Sequence, residues 1–228
     1  MNLVFPPLYA IIDAALLKTS ELSFAEMMTE SGVELLQYRN KRATSRELFE
    51  ASQSISARLS ALARPDAPEP RFIVPRFIVP HFIVNDRADI ALLVKAQGVH
   101  VGQQDLTVEE ARAIVGPDAW VGVSTHSLEQ LDAANETSAN YIAFGPIFPT
   151  SSKENPDPVV GLELLREARQ HTRKPLVAIG GITLERAADT FHAGADSLAV
   201  ARDLIAAPDP AARARLFLKE AAHARGKD

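Results

Sequence analysis

Cysteine is absent from the 228 residues, which excludes a disulfide framework, thiolate catalysis and sulfur-ligated metals. The six histidines form no HxH or HExxH spacing, so a histidine-ligated zinc or iron centre is not expected. Excess positive charge is missing as well. With 24 basic residues against 29 acidic ones the net charge is -5, which argues against nucleic acid or an anionic membrane as the main partner. Any anion must therefore be captured locally. No apolar run is long enough to cross a bilayer. The apolar N-terminus, MNLVFPPLYAIIDAALLK, lacks a basic leader region and is broken by Pro6, Pro7 and Asp13, so it reads as a first strand and not as a secretion signal. A cytoplasmic setting is compatible with these absences.

What is present is an ordinary globular balance, 46% hydrophobic and 23% charged, with enough apolar material for a sizeable core. Short β-type runs recur, each followed by an amphipathic stretch. The strands read as Leu8 to Ile12, Glu34 to Tyr38, His81 to Val84, Gly98 to Val101, Trp120 to Val123, Tyr141 to Phe144, Leu176 to Ile179 and Ser197 to Val200. Helices are expected over Ser45 to Leu62, Ala88 to Lys95, Val108 to Val115, Leu128 to Asn135, Gly161 to Gln170 and Leu184 to His192, with a last one near Ala211 to His223. Ser45 and Thr107 are the expected N-caps. Eight such units favour a single α/β domain, a (β/α)8 TIM barrel spanning residues 1-228, over a doubly wound sheet. The first turn, DAALLK, also lacks the glycines that a doubly wound dinucleotide fold places there.

One segment breaks the rhythm. At about 63-80 the chain is Pro-rich and repeats itself: RFIVP occurs twice, and a variant, HFIVN, follows. Three copies compete for one strand position. Pro75 and Pro80 cannot donate to a ladder, so the third strand belongs to the last copy and the earlier two form an insertion on the bottom face. A duplication tolerated in a loop accounts for it, and so does an oligomer contact, such as a homodimer, made by exposed FIV triplets.

The polar residues that interrupt the apolar pattern fall just after strands, where barrels of this kind build their active sites. Asp86 ends one apolar run and Asp105 follows the next, nineteen residues later. Parallel strands release their last residues on one face, so the two carboxylates would share a mouth. Mg2+ fits such a pair best, because it takes one or two carboxylates and completes its shell with water and phosphate oxygens. After strand two, Gln37, Arg39 and Lys41 alternate along one side of an extended chain. Two cations and an amide suit a diphosphate, Arg as a fork and Lys as a movable charge. Taken alone, the same run reads equally well as a solvated loop. Ser124 follows strand five, and GPIFPTSSK, ending in Thr150, Ser151, Ser152 and Lys153, follows strand six. Hydroxyls, free amides and one cation in a Pro-braced loop form an anion cradle, although Ser and Thr are also common loop filler. After strand seven, Gly180 and Gly181 let backbone pass close to something as the next helix opens. His126 near the rim is a proton shuttle or, more simply, a hydrogen-bonded structural group. Lys41, Lys153 and Lys174 lack the burial or the face that a Schiff-base nucleophile needs.

Together these pieces resemble the thiamine-phosphate synthase family over nearly the whole chain. The resemblance implies an enzyme that joins 4-amino-2-methyl-5-pyrimidinylmethyl diphosphate to a thiazole phosphate, two small-molecule substrates, with Mg2+ as cofactor. It implies Gln37, Arg39, Lys41 and Asn85 as contacts for the pyrimidine diphosphate, and Asp86 and Asp105 as metal ligands. Ser124 matches the family's serine after strand five. Thr150, Ser151 and Ser152 would face the thiazole phosphate, and Lys153 the diphosphate. Gly181 would receive the thiazole phosphate at the strand-seven turn. Arg39, Lys41, Ser124 and Lys153 are then the catalytic candidates. One departure stands out: where the family has an apolar residue and a serine after strand eight, this chain has Ala201 and Arg202, which puts its grip on the thiazole phosphate in question.

Three rivals remain. A thiazole tautomerase on the same barrel would use His126 and needs neither the diphosphate grip nor the metal. A non-catalytic phosphate-binding regulator would bind ligand and turn nothing over. A phosphosugar isomerase or epimerase would want a catalytic carboxylate or histidine pair at the rim.

Overall fold

The computed structural model describes residues 5–62, 80–150 and 157–226. Eight parallel strands close into a barrel in chain order: β1 Leu8–Asp13, β2 Leu35–Arg39, β3 His81–Asn85, β4 Gly98–Val101, β5 Trp120–Thr125, β6 Tyr141–Phe144, β7 Leu176–Ile179 and β8 Ser197–Val200. β8 returns to β1 through the register Leu8↔Leu198. The surrounding helices are α1 Glu21–Glu30, α2 Ser45–Leu62, α3 Ala88–Leu93, α4 Val108–Val115, α5 Leu128–Asn135, α6 Gly161–His171, α7 Leu184–His192, α8 Arg202–Ile205 and α9 Pro210–Ala224. No helix among the described residues is long and apolar enough to cross a membrane. The expected third strand falls on the HFIVN copy as read. Residues 63–79, which hold the earlier copies, lie outside the described residues.

Several boundaries differ from the sequence reading, and each difference has a physical cause. β1, β3 and β5 run one or two residues past their apolar cores, and β2 starts at Leu35 and ends at Arg39. The backbone ladder continues there although the side chains are polar: Asp13 pairs with Arg39, Asn85 with His100 and Ser124 with Ala143. Arg39 and Ser124 thus sit at the ends of strands, not after them. α3 stops at Leu93 because Lys95 turns to φ 54°. Thr44, not Ser45, caps α2, exchanging bonds with Glu47 in a capping box. Thr107 caps α4 with Glu110 in the same way. Two helices escaped the sequence reading. α1 is capped by Ser20 and buries only Phe24, Ala25 and Met28, a narrow apolar stripe. α8 is a single turn.

Strand alternation divides the apolar residues between two cores. Outward residues such as Leu36, Tyr38, Phe82 and Leu198 pack under the helices. Inward residues, among them Tyr9, Ile11, Leu35, Ile83, Tyr141 and Val177, fill the barrel. At the bottom Phe5 stacks on Trp120 with ring centres 5.3 Å apart, and His81 stacks on the same indole at 4.0 Å. These stacked rings form a floor below the barrel's inner core.

Candidate active site

The mouth divides into two sectors. In the first, β2 to β4, charged side chains hold one another. Arg39 Nη1 donates to Asp13 Oδ2 at 2.6 Å across the β1–β2 register, and Asp13 Oδ1 in turn accepts from the Ala15 amide. The fork is thereby oriented with donors left over for a ligand. Lys41 Nζ lies 3.2 Å from Asp86 Oδ2. Asp86 itself adopts φ 62°, a left-handed conformation that aspartate tolerates better than most residues, while its amide donates to His100 O at 2.8 Å. Asp105 Oδ2 accepts from the Gly102 amide at 2.7 Å. Burial raises the Asp86 carboxyl above the ordinary range. Lys41 pulls it back, while the charge of Asp105 and a hydrogen bond between the two carboxyls push it up again. Asn85 stands beside them at the end of β3.

That pair is what the donor chemistry of Mg2+ requires: two carboxylate oxygens, no nitrogen or sulfur, and room for other ligands. Among the described residues no group of three or more His, Cys, Asp or Glu side chains could hold a metal. A metal bound at this pair would therefore draw the rest of its shell from water and substrate.

The second sector opens as a cavity of about 780 Å³. Arg39, Ser124, His126, Thr150, Gly180, Gly181, Ala201 and Arg202 line it, so the cavity gathers eight of the residues singled out in the sequence. Lys41, Asn85, Asp86 and Asp105 lie outside it, on the neighbouring rim. Ser151, Ser152 and Lys153 fall outside the described residues. The reason for the two glycines is now visible. Gly181 has φ 64°, and a Cβ there would sit 2.6 Å from Pro149 O and 2.8 Å from Phe148 Cβ. Gly180 has φ 93° and abuts Pro146. The β7 turn thus passes directly under the β6 loop, and only glycine permits both the dihedral angle and the approach. Arg186, which the sequence reading missed, donates to Gly181 O at 2.6 Å and lies over the Phe148 ring at 4.6 Å.

Gln37 faces neither sector. It is 4% exposed inside the barrel, and its Nε2 donates to Tyr9 OH at 2.7 Å. Tyr9 OH bonds Tyr141 OH at 2.9 Å, Tyr141 OH bonds His100 Nδ1 at 3.1 Å, and His100 Nε2 bonds Ser124 Oγ at 2.8 Å. Burial raises both phenols, so they stay protonated. His126 is held by Gly145 O at Nδ1 and lies 3.4 Å from Asp157 at Nε2, as the structural alternative for it required. Asp13, His100, Tyr9 and Tyr141 were not picked out from the sequence. Asp13 carried a signal, an acid closing an apolar run like Asp86. His100 carried another, the one polar inward position of GVHV.

A family model described as thiamine monophosphate synthase matches residues 78–204. The chain belongs to this family. A thiamine-phosphate synthase of Koribacter versatilis is 45% identical over 223 residues, 96% of this chain and 97% of the relative. One from Methanospirillum hungatei is 38% identical over 92% of this chain and 95% of its own. Among solved structures, the thiamine phosphate pyrophosphorylase of Pyrococcus furiosus superposes with a TM-score of 0.80 at 30% identity, covering 96% of both chains. Family membership makes the chain an enzyme of thiamine biosynthesis.

Proposed function

We propose that this protein is a thiamine-phosphate synthase that condenses 4-amino-2-methyl-5-pyrimidinylmethyl diphosphate with thiazole phosphate, releasing diphosphate. The observation that carries the proposal is the Asp86–Asp105 pair with Lys41 beside Asp86, next to a cavity lined by Arg39, Ser124, Gly181 and Arg202. One sector suits a diphosphate with a divalent ion, the other a monophosphate. Asp86 and Asp105 would hold Mg2+, which neutralises charge on the departing diphosphate. Arg39, kept in orientation by Asp13, grips that diphosphate in its fork. Lys41 shifts from Asp86 to a phosphate oxygen as the ligand arrives, and Lys153, by its place in the sequence, adds a third cation. Ser124 and Asn85 orient the pyrimidine, while Gln37, buried inside the barrel and bonded to Tyr9, does not reach it. Thr150, Ser151, Ser152, Gly181 and the turn at Ala201 and Arg202 receive the thiazole phosphate. Loss of diphosphate leaves a cation at the pyrimidine methylene, which the thiazole nitrogen captures, so no strong general base is needed.

Purified protein given Mg2+ and both substrates should release diphosphate, and excess EDTA should stop it. Turnover that survives EDTA would remove the metal from the account. Conversion of the thiazole phosphate alone would point to the tautomerase, against which the double tether on His126 already weighs.

A further inference from the structure

We propose that the buried chain Gln37–Tyr9–Tyr141–His100 is a positioning device that locks His100 as its Nε2–H tautomer and so presents Ser124 as a hydrogen-bond donor to the pyrimidine diphosphate. The ligand's role rests on the function proposed above; the tautomer does not. The direction of the chain follows from its first member. Nε2 of an amide can only donate, so Tyr9 oxygen accepts from Gln37 and the Tyr9 hydrogen must go to Tyr141. Tyr141 has then accepted and gives its own hydrogen to His100 Nδ1. An imidazole that accepts at Nδ1 carries its hydrogen at Nε2, where it meets Ser124 Oγ. The serine, having accepted from within the barrel, has its hydrogen to give to the cavity it lines. Ring nitrogens and diphosphate oxygens are acceptors, so a donating Ser124 pairs with them and not with the ligand's 4-amino group.

Burial makes the arrangement decisive. Both phenols are shielded from water, and burial holds them in the protonated form that each relay position requires. In so buried a setting a reversed or broken link would strand a polar group, which costs far more than an exposed one. The sequence also makes room for the relay. Tyr141 is paired with Gly122 in the ladder, and any Cβ at Gly122 would collide with the Tyr141 ring. Tyr9 meets Tyr141 edge-on with ring centres 5.8 Å apart, which sets the two hydroxyls against each other. Tyr9, Tyr141 and His100 are positioning residues here, acting on substrate only through Ser124.

Protein labelled with 15N in its histidine rings, with His100→Asn to assign the resonances, tests the proposal in a long-range proton–nitrogen spectrum recorded well above the imidazole pKa. The expected result is a hydrogen on His100 Nε2 and none on Nδ1 in the wild type, and a mixture of tautomers in Tyr141→Phe. An Nδ1–H tautomer in the wild type, or an unchanged spectrum in Tyr141→Phe, overturns the proposal. Kinetics supply the second readout. Tyr141→Phe should raise KM for the pyrimidine diphosphate roughly tenfold, leave KM for the thiazole phosphate unchanged, and make a further Ser124→Ala substitution nearly silent. Losses that multiply, or that strike both substrates alike, mean that Tyr141 is only structural. Tyr9→Phe removes an earlier link and should give the same pattern more weakly, which keeps the test open if Tyr141→Phe does not fold. A wild type that shows the Nε2–H tautomer but turns over neither substrate would reject the function and leave the relay standing.

Discussion

The two sectors of the mouth are built in different ways. From β2 to β4 the work is done by charged side chains that pair with one another before any ligand arrives: Arg39 with Asp13, Lys41 with Asp86, and Asp86 with Asp105. From β6 to β8 Gly180 and Gly181 pass under the Pro146–Pro149 stretch, and the cavity beside them, lined also by Arg39, Ser124, Arg186 and Arg202, takes its shape from that close backbone approach. The first sector is preloaded with opposing charges, which suits a highly charged group that must leave with its charge stabilised. The second is a fitted recess, which suits a group that stays bound while chemistry occurs beside it. Removing a charge should therefore damage rate in the first sector, while changing shape should damage stability and binding in the second.

That contrast can be broken at specific residues. Asp105→Ala should have the largest effect, a fall in kcat on the order of a hundredfold with melting temperature nearly unchanged, since one oriented electrostatic contact to the leaving group is typically worth that much. A comparable loss of stability would mean that the acid pair is structural. Gly181→Ala should do the opposite. Its φ of 64° and the contact with Pro149 O should cost about 1–3 kcal/mol, roughly 2–10 °C in melting temperature, measurable by calorimetry. Arg202→Ala should be milder still, raising KM for the thiazole phosphate by about threefold to tenfold, as expected for one partly solvated contact. An effect on the pyrimidine diphosphate instead would move Arg202 to the other sector.

A control far from both sectors lies at the barrel floor. Burial lowers the pKa of His81 beneath Trp120, so the folded protein resists protonating it. The associated stability is fully present above the ordinary imidazole pKa, about 6.5, and is lost as pH falls through the depressed folded value. Wild type should lose more melting temperature than His81→Phe between about pH 7.5 and about pH 5. Equal losses would show that other groups govern the acid limb.

These contrasts also explain what could be read from the sequence. Eight apolar runs and their helices gave the barrel, because a strand buried on both faces is a continuous apolar run. The acids and bases of the first sector were visible because a charge that closes such a run has few structural reasons to be there. Gly180 and Gly181 were visible as glycines, but what they make room for, the β6 loop, depends on a contact between segments more than thirty residues apart. The relay inside the barrel was hidden for the same reason. Tyr9, His100 and Tyr141 look like filler until the register sets them facing inward at one level. Gln37 was read as a rim residue beside Arg39 and Lys41, and alternation did put it on the inward face; two residues of depth separate it from the mouth. α1 was missed because Phe24, Ala25 and Met28 alone make too thin a stripe to stand out.

The division of labour between the sectors is tested most directly by calorimetric titration of inorganic diphosphate and of thiazole phosphate into wild type and Asp105→Ala, each with and without Mg2+. The account predicts that wild type binds diphosphate tightly only when Mg2+ is present, that Asp105→Ala loses this metal-dependent binding, and that both proteins bind thiazole phosphate alike. Diphosphate binding that ignores Mg2+, or an Asp105→Ala protein that loses the thiazole phosphate as well, would contradict it.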